Sequence, residues 1–245
     1  MIDKNTAENA LIIFIKNPQL GKVKTRLAKT VGDEKALEIY LELSKITREN
    51  CQMLSQKTQL LRGQSAIQPY VFYSDFINKN DDWSNDIFEK AVQSGDDLGD
   101  RMSNAFTFIL QNYAKACIIG SDCPTLSTAI LEAAFESLDN HDFVVGPSTD
   151  GGYYLLGMNV NTPPQYSGFQ DTLPKSEIPI PKSTPPHLSP WEYLFENMVW
   201  STENVLSETL KRIKAQHKTV ALLPELTDVD EEKDWINYLE LKENR

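Results

Sequence analysis

Cysteine and histidine are scarce in this chain of 245 residues, which holds three of each. Cys51, Cys117 and Cys123 cannot close a disulfide framework without a leftover thiol, and no pair has zinc-knuckle spacing. His141, His187 and His217 lie in charged or proline-rich surroundings, so neither a histidine zinc site nor a Ser-His-Asp triad has a starting point. No apolar run approaches the ~20 residues that a membrane span needs. Asp3 and Glu8 precede the first apolar stretch, unlike a signal peptide, so a cytoplasmic protein is the expectation. Basic residues are outnumbered, 24 Lys and Arg against 35 Asp and Glu, for a net charge of −11. A surface of that sign repels phosphate backbones, so neither nucleic acid nor an anionic membrane is an expected partner.

What is present is patterned. Residues 10–15 (ALIIFI) form a short continuous apolar run, as in a strand buried on both faces. Further strands are predicted over 69–73, 116–120, 143–146, 153–158 and 219–223. Helices are predicted over a segment starting at Asp33, then 102–113, 127–138, 202–216 and 231–241. Strands alternating with helices predict a three-layer α/β/α domain around a mostly parallel sheet, with ligands at the strands' carboxyl ends. The whole chain, 1–245, reads as one domain of this kind. Residues 161–190 depart from the alternation, because eight of the 13 prolines fall there; they read as an insertion on the surface.

The strongest local departure from composition follows the first strand. No acidic residue lies between Asn9 and Gly32, yet Lys16, Lys22, Lys24, Arg26 and Lys29 do. Pro18 and Gly21 shape a turn there, and alternate cations could grip a polyphosphate. Neither a P-loop nor a G-x-G-x-x-G can be written over these residues. The bland alternative is a solvated charged loop.

Carboxylates mark the later strand ends. Asp122 ends the apolar run Ile118-Ile119-Gly120 and would suit Mg²⁺, which takes one or two carboxylates plus substrate phosphates; equally, it could cap a turn. Asp150-Gly151-Gly152 reads as a hairpin turn or as a cleared space beside a bound acceptor. Asp228 and Asp230 alternate after the last strand, so both could face one metal, though Asp230 could instead cap the closing helix. Residues 93–101 (QSGDDLGDR) suit a base or ribose contact, or a helix cap. Cys123 reads as a small buried residue without a base.

Taken in order, these segments resemble one family. Phe14-x-Lys16-x-Pro18-x-x-Gly21-x-x-Lys24-Thr25-Arg26-Leu27 is similar to the opening of the rSAM/selenodomain-associated transferases, which are glycosyltransferase-like proteins of GT-A, or nucleotide-diphospho-sugar transferase, fold. Gln93-x-Gly95-x-x-Leu98-Gly99-x-Arg101-Met102, Gly120-Ser121-Asp122-Cys123-Pro124-Thr125-Leu126 and Gly146-Pro147-x-x-Asp150-Gly151-Gly152-Tyr153-Tyr154 resemble its later blocks, with Trp200-Ser201-Thr202 and Asp228-Val229-Asp230 completing the set. The family is in turn similar to 2-phospho-L-lactate guanylyltransferase and the molybdenum cofactor guanylyltransferase. Its usual Thr-Pro-Glu-Asp after the last motif is here Glu231-Glu232-Lys233-Asp234.

The resemblance implies a nucleotide site at Lys16, Gly21, Lys24, Thr25, Arg26, Gln93, Gly95, Gly99 and Arg101. It implies Mg²⁺ or Mn²⁺ on Asp122 with Asp228 or Asp230. Asp150 and Lys24 are then the catalytic candidates, and Gly151, Gly152 and Tyr153 the acceptor side. The expected partners are a nucleotide or nucleotide-sugar donor and a small-molecule acceptor; a homo-oligomer is left open. Glycosyl transfer is the first expectation. Nucleotidyl transfer from a triphosphate is the alternative, and a nucleotide-binding protein without turnover is the third.

Overall fold

The computed structural model describes residues 7–60, 65–160 and 190–244. Its elements run β1 (Ala7–Ile15), α1 (Thr25–Val31), α2 (Asp33–Leu60), β2 (Ala66–Tyr73), β3 (Glu89–Val92), α3 (Leu98–Ile109), β4 (Lys115–Ile119), α4 (Thr128–Ser137), β5 (Phe143–Pro147), β6 (Tyr153–Asn159), α5 (Val205–Ala215), β7 (Val220–Leu222) and α6 (Glu232–Glu243). Among the described residues the strands form a seven-stranded sheet in the order β3-β2-β1-β4-β6-β5-β7. β6 is antiparallel to both neighbours, while every other pairing is parallel.

The apolar run of β1 explains its central place. Leu11, Ile13 and Ile15 face one layer with Leu54 of α2 and Leu131 of α4. Ala10 and Ile12 face the other layer with Met102 and Phe106 of α3 and Ile213 of α5. Leu11, Ile12 and Ile13 are all fully buried. A strand covered on both faces needs no polar alternation, so continuous apolar sequence and parallel pairing go together. The chain leaves β1 toward β2 and β3 on one side and returns to β4 on the other. That reversal between β1 and β4 is where an open α/β sheet offers a crevice at its carboxyl edge.

Two elements were not foreseen. Residues 25–31, within the basic stretch, form the helix α1, with Leu27 buried against Ile39, Leu43 and Val229. The cations there are therefore not alternating along an extended chain. β3 is a four-residue edge strand whose sequence, EKAV, has no apolar run to announce it. α3 begins at Leu98 rather than 102, because Asp97 caps it by accepting from the Asp100 N–H at 2.9 Å. α5 begins at Val205 rather than 202. Almost all of the proline-rich insertion, 161–189, lies outside the described residues.

Candidate active site at the carboxyl edge of the sheet

Four connections meet at this edge: those after β1, β4, β5 and β7. They are stitched together by backbone hydrogen bonds. The Val229 N–H donates to the Asp122 carbonyl at 2.9 Å, so the segment after β7 lies beside the end of β4. The Thr149 N–H donates to Leu226 O at 3.0 Å, and the Leu226 N–H to Pro147 O at 3.1 Å, which fixes the same segment to the end of β5. Tyr154 donates its hydroxyl to Pro224 O at 2.9 Å. Val229, 1% exposed, is the apolar anchor between the two flanking aspartates.

This brings Lys24, Asp122, Asp150, Asp228 and Asp230 into one neighbourhood. Lys24 Nζ lies 3.0 Å from Asp122 Oδ2 and 3.4 Å from Asp230 Oδ1. Its side chain is 5% exposed, whereas those carboxylates are 44% and 41% exposed. The residue sits at φ 47° immediately before α1, in a left-handed conformation that costs a non-glycine residue energy and tends to mark functional positions. Arg26, on the first turn of α1, reaches Asp230 Oδ2 at 3.3 Å from a largely exposed position. Burial, with Asp122 and Asp150 nearby, pushes the Asp228 carboxyl up to about 7; Lys24 opposes the shift and Asp230 adds to it.

Both open alternatives at the acidic positions resolve against capping. Ser127, not Asp122, caps α4. Glu231 caps α6 in a capping box with Asp234, whose carboxylate also accepts from the Asp230 and Glu231 N–H groups at 3.1 and 2.8 Å. Asp234 thus keeps the turn in order without the Thr-Pro pair. The Asp122 and Asp230 carboxylates are left with the two cations.

The donor set suits a hard divalent cation by composition and charge. Among the described residues the Asp122 and Asp230 carboxylates pair with Lys24 and Arg26, while Asp150 and Asp228 add further carboxylates to the group. Among the described residues no three Asp, Glu, His or Cys side chains already surround a metal position.

The turn after β5 is rigid. Asp150 Oδ1 accepts from the Ser148 hydroxyl and from the Gly152 N–H, the latter at 2.9 Å. It is both the hairpin turn that its sequence announced and a member of the acidic group. Gly151, at φ +86°, lies against residue 203: a Cβ there would come within 2.2 Å of Glu203 O. The Leu206 N–H donates to Gly151 O at 2.9 Å, so the start of α5 is pinned to this turn. Tyr153 packs among the apolar residues of the α3 side, its hydroxyl 4.0 Å from Met102 Sδ. Its side chain is a core contact.

The expected nucleotide positions divide into two groups. Lys16, Gly21, Lys24, Thr25 and Arg26 follow β1 beside Asp122. Lys16 and Gly21 are exposed, with Gly21 in the turn closed by Lys22 N–H to Gln19 O. The residues after β3 have structural partners: Gln93 Nε2 donates to the carbonyls of Phe72 and Ile15, at 2.9 and 3.2 Å. Gly95 O accepts from Arg101 Nε at 3.2 Å, and Gly99 makes room for the Trp200 ring, 2.6 Å from where a Cβ would stand.

Two polar residues at the site had no role in the sequence reading. Tyr40 of α2 accepts from the Lys16 N–H at 2.9 Å and donates to Lys16 O at 2.7 Å, with Ser121 and Asp122 adjacent. Burial holds that phenol well above its ordinary range. Asn17, 3% exposed, accepts from the Asp75 N–H at 3.0 Å and donates to Phe76 O at 2.8 Å, tying the loops after β1 and β2. A polar residue directly before Pro18, at the end of an apolar strand, was the available signal for Asn17. Tyr40 had none, since it fits the apolar stripe of α2.

A protein described as a candidate nucleotide-diphospho-sugar transferase from Desulfovibrio desulfuricans G20 shares 24% identity with this chain. The match covers 92% of this chain and 83% of the other, with a TM-score of 0.69. This chain has the nucleotide-diphospho-sugar transferase fold. The bifunctional IspDF of Campylobacter jejuni is similar at the level of fold, with 10% identity, 93% and 53% of the two chains covered and a TM-score of 0.51. Residues 58–173 match the family model described as "Uncharacterized protein conserved in bacteria (DUF2064)". That range spans the blocks at 93–102, 120–126 and 146–154, but neither Lys24 nor Asp228. No curated protein matches the chain. No helix among the described residues is long and apolar enough to cross a membrane.

Proposed function

We propose that this protein is a divalent-metal-dependent transferase that takes a glycosyl group from a nucleotide-sugar donor and passes it to a small-molecule acceptor. The observation that carries this reading is the buried Lys24 between Asp122 and Asp230, beside Asp150 and Asp228, at the switch point of the sheet. Lys24 and Arg26 supply fixed positive charge for the departing nucleoside diphosphate. Asp150, held by Ser148 and Gly152, takes the proton from the acceptor hydroxyl as its oxygen bonds to the sugar carbon and the carbon–phosphate oxygen bond breaks. Asp122, Asp228 and Asp230 would hold the Mg²⁺ or Mn²⁺, whose charge offsets that of the donor's phosphates when bound.

Nucleotidyl transfer is the second reading. It is favoured by two cations within three residues, Lys24 and Arg26, a concentration that suits a triphosphate. In that case the acceptor oxygen attacks the α-phosphorus and pyrophosphate leaves.

The test is a thermal-shift panel of nucleoside triphosphates, diphosphates and nucleotide sugars, with and without Mn²⁺, on wild type and Asp122→Asn. Ligand at about 100 times Kd stabilises by roughly 2.7 kcal/mol. A metal-dependent shift with one nucleotide sugar, lost in Asp122→Asn and followed by nucleoside diphosphate release, supports glycosyl transfer. Pyrophosphate release moves the assignment to nucleotidyl transfer. Binding without turnover of any acceptor leaves a nucleotide-binding protein.

A further inference from the structure

Lys24 stands between two carboxylates that could also attract a cation of higher charge. Its ammonium is shared by Asp122 and Asp230, and its side chain is nearly closed off from solvent while those carboxylates are half exposed. A divalent ion drawn to the same oxygens meets the ammonium's repulsion and must compete for its partners. Phosphate oxygens offer the ammonium an alternative, since lysine binds phosphate as a point charge on a flexible stem.

We propose that Lys24 is a built-in counter-ion that exchanges partners on ligand binding: it neutralises the acidic site when no metal is bound and transfers to the ligand's phosphates when metal takes Asp122 and Asp230. Resting on the transferase reading above, the exchange makes metal and phosphates bind weakly alone and tightly together. The coupling is reciprocal, because each ligand frees the partner that the other needs. Arg26 contributes little to it, being largely exposed and screened by solvent. Lys24 holds a left-handed backbone, φ 47° and ψ 45°, at the N-cap of α1.

The experiment is calorimetric titration of Mn²⁺ into wild type, Lys24→Met and Asp122→Asn, alone and with inorganic pyrophosphate, correcting for the Mn²⁺–pyrophosphate complex. Pyrophosphate carries the charge of a donor's phosphates without any choice of base or sugar. Lys24→Met is expected to bind Mn²⁺ alone roughly tenfold more tightly than wild type. Pyrophosphate is expected to tighten Mn²⁺ binding to wild type by a larger factor than in Lys24→Met, where direct coordination of the metal is the coupling that remains. Should Lys24→Met fail a circular-dichroism check of folding, Lys24→Gln replaces it in the same comparison. Mn²⁺ binding through Asp122 that is no tighter in the variant, or that pyrophosphate improves no more in wild type than in the variant, overturns the exchange alone. An absence of Mn²⁺ binding in every protein, with pyrophosphate binding unaffected by Asp122→Asn, overturns the transferase reading as well.

Discussion

Asp228 carries the site's burial, and after it the crowding of carboxylates, in a measurable form. Its folded carboxyl is raised from 3.8 to about 7. Between those values the folded state holds a proton that the unfolded state has lost, so stability falls as pH rises through the window and levels off above it. Metal-free wild type is therefore expected to lose more stability than Asp228→Asn between about pH 5 and pH 8, read from urea melts. Equal slopes in the two proteins would refute the assignment of that proton. Lys24→Met should lower stability by roughly 1–3 kcal/mol, between the values for exposed pairs and for buried pairs that lose one partner. Thermal denaturation at neutral pH without metal measures it. At this scale the chain was legible where charge broke the local pattern: Lys24 in an acidic chain, Asp122 at the end of an apolar run, and Asp228 alternating with Asp230 after the last strand. Tyr40 and Asn17 were not, because their roles depend on which loops the sheet places beside them.

Elements were readable to the extent that burial wrote them. β1 and β4 are covered on both faces and appear as apolar runs. β3 lies at an edge, and α1 has only Leu27 fully inside, so neither left a periodic signature. The connection between β2 and β3 shows how an edge is secured without apolar sequence. Asp81 accepts from the Tyr73 hydroxyl at 2.5 Å and from Lys90 Nζ at 2.7 Å, with both charged side chains largely buried. Trp83 packs edge-on against Phe88 beneath it. Asp81→Ala leaves the Lys90 ammonium buried without its carboxylate and should cost about 3 kcal/mol or more in a urea melt. The turn after β5 is equally specific. Gly151→Ala combines a φ of +86° with a clash against the Glu203 backbone, and should cost roughly 2 kcal/mol or more while displacing the start of α5 from Asp150. A crystal structure or melt of the variant that matched wild type would remove the steric argument.

For the whole molecule, the alternation of strands and helices foretold the layered sheet, and ordered motifs foretold the nucleotide-diphospho-sugar transferase fold. Among the described residues one strand, β6, is reversed, and the hairpin reading of Asp150-Gly151-Gly152 carried that reversal, since a turn so short joins antiparallel neighbours. Lys24 and Asp230, which share a hydrogen bond, are 206 residues apart in sequence. Loss of metal-dependent pyrophosphate binding and loss of helical signal should therefore share one urea midpoint, because the site has no local piece that outlasts the fold. Binding that ends well before the helices melt would show the segment after β7 to be a separately opening unit. The same stitching matters while the protein is being made. A chain leaving the ribosome has α1 and β4 long before Asp228 and Asp230, and until residue 230 emerges Lys24 lacks the second of its two carboxylates. The ion pairs around Lys24 close only once segments made far apart in time are both present.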